Sequence, residues 1–162
     1  MFEHQGRCTM KMFLLMIATA FLALAQNPHF SQANASLAGD GTLTLSWKEA
    51  GLGQNTSVDY TASATQTATY GCINKGDKHP KASNKETVTQ PVTATATFSS
   101  GKNGMISGSM VIDILPPPTD FSCPGNMRLV LVSVAYTDVQ LKDVTNNILA
   151  DIPTAFAFVV YP

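Results

Sequence analysis

The chain has 162 residues, of which 44% are hydrophobic and only 13% charged, and its formal net charge is −1. That balance excludes the basic excess expected of a nucleic-acid-binding protein. It equally excludes the high-charge, low-hydrophobicity composition of a disordered chain.

The first feature along the chain is an apolar run, Met12 to Ala25, led by Arg7 and Lys11 and followed by small residues. A basic lead, an apolar stretch and an A-x-A-like end are the layout of a secretory signal peptide. At about 14 apolar residues the run is too short to span a ~30 Å hydrocarbon core as a helix. A buried core helix would have no need of the basic lead. Met10 and Met12 are alternative starts. Three positions fit cleavage: after Ala25, after Ala33 and after Ala35. The expectation is a signal peptide and cleavage region over residues 1–35 and a single secreted domain over residues 36–162, with no transmembrane segment left. Arg7, Lys11 and Glu3 lie in the removed part, so about 8 basic and 10 acidic side chains remain in the domain.

Leu43, Leu45 and Trp47 alternate with Thr42, Thr44, Ser46 and Lys48, which reads as an amphipathic strand closed by Gly51-Leu52-Gly53. Trp47 shares the parity of the leucines, so core packing is the better reading than carbohydrate stacking. The longest periodic stretch follows. Val58, Tyr60, Ala62, Ala64, Gln66, Ala68, Tyr70 and Cys72 fall on one face. Asp59, Thr61, Ser63, Thr65, Thr67 and Thr69 fall on the other. A period of two sustained this long is a strand with a small-residue inner face and a hydroxyl-rich outer face.

The segment after Cys72 carries Lys75, Lys78, His79, Lys81 and Lys85. A basic loop of this kind suits an anionic surface or polysaccharide. The plainer alternative is a solvated loop. Val92 to Phe98 alternates again, after Pro91. Ser99–Gly104 contains Asn-Gly, and Ile106, Gly108, Met110, Ile112 and Ile114 alternate beyond it. The pattern predicts a β-hairpin, 92–98 against 105–114, with its even-numbered apolar residues turned inward. Thr93, Thr95 and Thr97 would then lie beside the Thr row of the long strand. Such an array suits an ordered lattice, ice or a crystalline polymer, although Thr is also an ordinary outer-face strand residue.

Pro116-Pro117-Pro118 forbids sheet pairing and reads as an extended connector. Cys123-Pro124-Gly125-Asn126 reads as a tight turn. Met127 to Tyr136 is apolar on both parities and is the candidate central strand. Val139 and Leu141 continue it as a further strand or a bulged extension. Asn146-Asn147 marks a turn, and Ala155 to Tyr161 a last strand.

Seven or so strands in one domain predict an all-β antiparallel sandwich, Ig-like or Greek key, with a jelly roll or small barrel as alternatives. Cys8 leaves with the signal, which leaves Cys72 and Cys123 as the one possible intramolecular disulfide. The pair lacks the mid-sheet Cys-Trp-Cys pattern of antibody domains.

No catalytic motif is present. His79 lacks a nucleophile elbow. The carboxylates Asp113, Asp120, Asp138, Asp143 and Asp151 are scattered through strand ends and loops. Asp138, Asp143 and Asn146 are a candidate calcium set without an EF-hand pattern. Asn34-Ala35-Ser36 and Asn55-Thr56-Ser57 fit the glycosylation pattern. No cofactor is expected. The functional expectation is a secreted, non-enzymatic binding, cell-envelope or matrix component. The alternative is an extracellular hydrolase or carbohydrate-active protein.

Four stretches, LSWKEAGLG (45–53), YTASATQTATYGCIN (60–74), FSSGKNG (98–104) and SVAYTDVQLKDVTN (133–146), together resemble a group of small secreted single-domain β-proteins of bacteria and filamentous fungi. The resemblance implies secretion and one compact domain. It carries no functional residue onto this chain.

Overall fold

Alternation over Val58–Cys72 commits that segment to a strand, and in the computed structural model it is the longest of eight. The structure describes residues 26–74, 76 and 84–160. In chain order the strands are β1 (His29–Leu37), β2 (Leu43–Ala50), β3 (Ser57–Ile73), β4 (Lys85–Ser99), β5 (Ile106–Ile112), β6 (Arg128–Asp143), β7 (Ile148–Ile152) and β8 (Phe156–Val159). They form two sheets whose pairings are all antiparallel. One sheet has three strands in the order β1-β2-β5. The other has five, in the order β4-β3-β6-β7, with β8 also pairing β6. The core lies between them, and the all-β sandwich predicted from the sequence is the fold.

The parities read from the sequence hold for the inward faces. Leu43, Leu45 and Trp47 of β2 are at most 2% exposed, and Val58, Tyr60, Ala62 and Ala68 of β3 at most 1%. Trp47 is a core residue. Its ring stacks tilted on Tyr60 at 4.7 Å and meets Phe98 edge-on at 5.0 Å, arrangements that aromatic quadrupoles favour. Opposite Trp47 on β5 stands Gly108. A Cβ there would lie 2.6 Å from Trp47 Cζ2, so the absent side chain makes room for the indole. The Cys72–Cys123 disulfide forms, joining the end of β3 to the connector between β5 and β6, 51 residues apart in sequence.

The predicted hairpin does not form. β4 pairs with β3 along its whole length, and β5 pairs with β2 in the other sheet. Residues 100–105 are an arch that crosses between the sheets. Its anchor is Ser100, only 4% exposed. The Ser100 hydroxyl donates to Gly53 O at 2.7 Å and accepts from Thr56 N at 2.8 Å. Leu52 N donates to Gly104 O at 3.1 Å. The two sheet-crossing loops, 51–56 and 100–105, therefore bond to each other. Phe98 and Ile112 do both turn to the core, but from opposite sheets. Alternation fixes which side chains point inward. It does not distinguish a hairpin from an arch.

Two further features differ from the sequence reading. Pro91 lies inside β4, where its missing N–H is tolerated because β4 is an edge strand. β6 is a central strand, as expected, yet its apolar residues on both parities reflect bulges. Register shifts lie opposite Ser63/Thr65 and Thr69/Tyr70 of β3, and Asp138 takes a positive φ of 53°. The core-facing residues consequently change parity, from Tyr136 to Val139 and Leu141.

Candidate functional site

The outer face of the five-stranded sheet is the most distinctive exposed surface. On β3 it presents Thr61, Ser63, Thr65, Thr67 and Thr69. The β3–β4 register sets Thr61 opposite Thr95, Ser63 opposite Thr93, Thr67 opposite Thr89 and Thr69 opposite Thr87. Pairing brings the two hydroxyl rows side by side, as the sequence suggested, and extends the β4 row by Thr87 and Thr89. Rows ~4.8 Å apart with side chains every ~6.6 Å follow from sheet geometry. Thr67 and Thr89 hydroxyls hydrogen-bond at 3.0 Å, as do those of Thr69 and Thr87. β6 continues the face with Ser133, Ala135 and Thr137. Within the β3 and β4 rows charges stand only at the ends: Lys85 opposite Gly71 at one, and Asp59, accepting from Thr97 Oγ1 at 2.6 Å, at the other. On the neighbouring strands Lys142 stands opposite Thr61, and Asp151 opposite Gln140.

Of the basic-loop residues, Lys75, Lys78, His79 and Lys81 lie outside the described residues. Lys85 opens β4, half-buried.

The scattered carboxylates separate into two kinds. Asp113, Asp120, Asp138 and Asp151 are exposed. Asp138 accepts from Thr137 and Asp151 from Gln140. Asp143 is fully buried, and so is Glu49, which the sequence reading did not single out. Glu49 belongs to β2 and continues the inward parity of Leu43, Leu45 and Trp47. Asp143 ends β6 with the parity of Val139 and Leu141. The two strands, from opposite sheets, bring the side chains into hydrogen-bonding reach of each other. Tyr60 Oη donates to Glu49 Oε2 at 2.6 Å. Asn146 donates to both Asp143 oxygens, through its backbone N at 2.8 Å and its Nδ2 at 2.6 Å. Burial, reinforced by Asp143, pushes the Glu49 carboxyl up to about 7, although the Tyr60 hydrogen bond pulls the other way. Burial, and then the neighbouring Glu49, raises the Tyr60 hydroxyl well above its ordinary value. Glu49 Oε1 has no partner as an unprotonated acceptor. Glu49 is thus a buried carboxyl that holds its proton to a higher pH than usual.

Asp138 stays apart from the expected calcium set, while Asn146 serves Asp143. Among the described residues no three or more His, Cys, Asp or Glu side chains gather as a metal site. Also among the described residues, no helix is long and apolar enough to cross a membrane. A cleft along the bulge of β6 is about 340 Å³ and is lined by Asp138, Gln140, Asp151 and Pro153 among others.

No protein-family model matches the chain, and no curated protein matches it in sequence.

Proposed function

We propose that this chain is a secreted, non-enzymatic binding protein of a cell envelope or extracellular matrix, and that its ligand-facing surface is the outer face of the five-stranded sheet. One observation supports this most: two in-register rows of mainly hydroxyl side chains, on β3 and β4, without a charge between the ends of the rows. An uncharged strip of hydroxyls and methyls favours an uncharged, hydroxyl-bearing polymer, because it offers hydrogen bonds with no ion to desolvate. The strand orders β1-β2-β5 and β4-β3-β6-β7 are in keeping with an immunoglobulin-like arrangement of this sandwich, a frequent scaffold for recognition surfaces. The alternative of a hydrolase draws little support from the paired carboxyls, since Glu49 and Asp143 are both 0% exposed.

The test is retention of the purified domain on an insoluble neutral polysaccharide and on an anionic one, at low and high salt. Retention on the neutral polymer should survive high salt. It should be lost on Thr89→Lys with Thr95→Lys, two exposed positions where substitution leaves the core untouched. Retention confined to the anionic polymer, weakened by salt and abolished by replacing Lys75, Lys78, Lys81 and Lys85 with Ser, would overturn the reading and move the site to the basic loop.

A further inference from the structure

The start of the folded domain discriminates among the three cleavage positions that the sequence leaves open. β1 pairs with β2 from His29 opposite Ala50 to Leu37 opposite Leu43. Phe30, Ala33, Ala35 and Leu37 pack against the core. Cleavage after Ala33 would remove the first half of this strand with Phe30 and Ala33. Cleavage after Ala35 would leave Ser36 and Leu37 alone. Either would expose one edge of β2, with its unpaired backbone groups, and open the core.

The residues before β1 are also seated. An ideal Cβ on Gly51 would lie 2.1 Å from Asn27 O, and one on Gly53 would lie 2.3 Å from Gln26 Nε2. Both glycines have φ of +78°. The turn after β2 therefore admits the segment 26–27 only because it carries no side chains there. Gln26, Asn27 and His29 share a cleft of about 370 Å³ with Lys102 and Asn103. Packing against the domain thus reaches back at least to Gln26.

We propose that export processing cuts after Ala25 and that the new N-terminal residue, Gln26, closes to pyroglutamate. The inference rests on the secretion reading above. The freed α-amine nitrogen attacks the side-chain Cδ of Gln26. A bond forms between them, the Cδ–Nε2 bond breaks, and Nε2 departs as ammonia after taking a proton. No oxidant or co-reactant is required. Attack within one residue to give a five-membered ring has the advantage of an intramolecular reaction. Gln26 is exposed, so the two groups are free to meet. The product removes the terminal positive charge from a cleft that already holds Lys102, and it leaves a blocked N-terminus.

The experiment uses the full chain, leader included, expressed in exporting cells and recovered from the medium. Intact mass is measured before digestion, and the N-terminal peptide is then sequenced by mass spectrometry, for the native chain and for Gln26→Ala. The native protein should begin at residue 26 and be lighter by one ammonia than the uncyclised chain. The variant should begin at residue 26 with no such loss. A native chain beginning at Asn34 or Ser36 overturns the proposal while secretion stands. A free, unmodified Gln26 overturns the cyclisation alone. A chain kept in the cells with its leader attached overturns the secretion reading on which both rest.

Discussion

The two ends of the sandwich are held shut by different chemistry. In the C-terminal half of β3, the fully buried Gln66 donates to Asp113 O at 3.0 Å and accepts from Leu115 N at 2.6 Å. Tyr70 donates to Leu115 O, and the Cys72–Cys123 bond closes the same region. Near the N-terminal end of β3, the equally buried Glu49 meets Tyr60 and Asp143. Gln66 has both polar ends satisfied by groups that do not titrate in the physiological range. Glu49 has only one oxygen bonded, and burial pushes its carboxyl up to about 7. One end is therefore indifferent to pH and the other is not, although each ties one sheet to elements of the other.

The covalent part of the first end carries the largest expected effect. Replacing Cys72 and Cys123 with Ala removes a cross-link over about 50 residues, and the chain-entropy model gives a loss on the order of 4 kcal/mol. Urea unfolding of the oxidised protein and the double variant checks it. A difference under about 1 kcal/mol would mean that the unfolded chain is already compact.

Next comes the neutral clasp. Gln66→Ala leaves Asp113 O and Leu115 N without their partner and opens a cavity, a cost of about 2–3 kcal/mol. The loss should be the same at pH 5 and pH 8, because neither orphaned group titrates. A pH-dependent loss would break the contrast between the two ends.

How much of this was legible in sequence follows from the same physics. Strands β2 and β3, their inward faces and the disulfide were readable because period-two alternation is local and only Cys72 and Cys123 lie beyond the apolar N-terminal run. β1 was hidden by its own irregularity. A register shift between Phe30 and Gln32 breaks the parity, so that Phe30 and Ala33 both reach the core, and the segment looks like a cleavage region. The arch between β4 and β5 was hidden because partner choice depends on what else each strand pairs with. Glu49 was within reach of the argument. Its parity with Leu43, Leu45 and Trp47 points inward, yet a charged residue at a strand end reads by default as solvated. Its partner Asp143 was visible only as one of several carboxylates, since nothing local says which strand ends converge.

The pH-dependent effect sharpens the comparison most, because it has a sign. Glu49 ionises at about 7 in the folded chain against an ordinary 4.5. Between those values the folded protein binds a proton that the unfolded chain does not. Stability from this group is therefore complete below about pH 4.5 and is lost as pH rises through 7. The expected loss is on the order of 3 kcal/mol between pH 4 and pH 8. Other carboxylates titrate too, so the measurement is a difference between the native chain and Glu49→Gln. In the variant the amide oxygen can still accept from Tyr60, and the side chain is neutral at every pH. The two proteins should be similar in stability at pH 4. The variant should gain on the native chain through pH 5 to 7 and stay ahead at pH 8. Tyr60→Phe should remove the hydrogen bond that favours the ionised acid, and so shift the native loss to higher pH. Parallel stability curves for native and E49Q would show that Glu49 titrates alike in the folded and unfolded chain, and the two ends of the sandwich would then be alike in their response to pH.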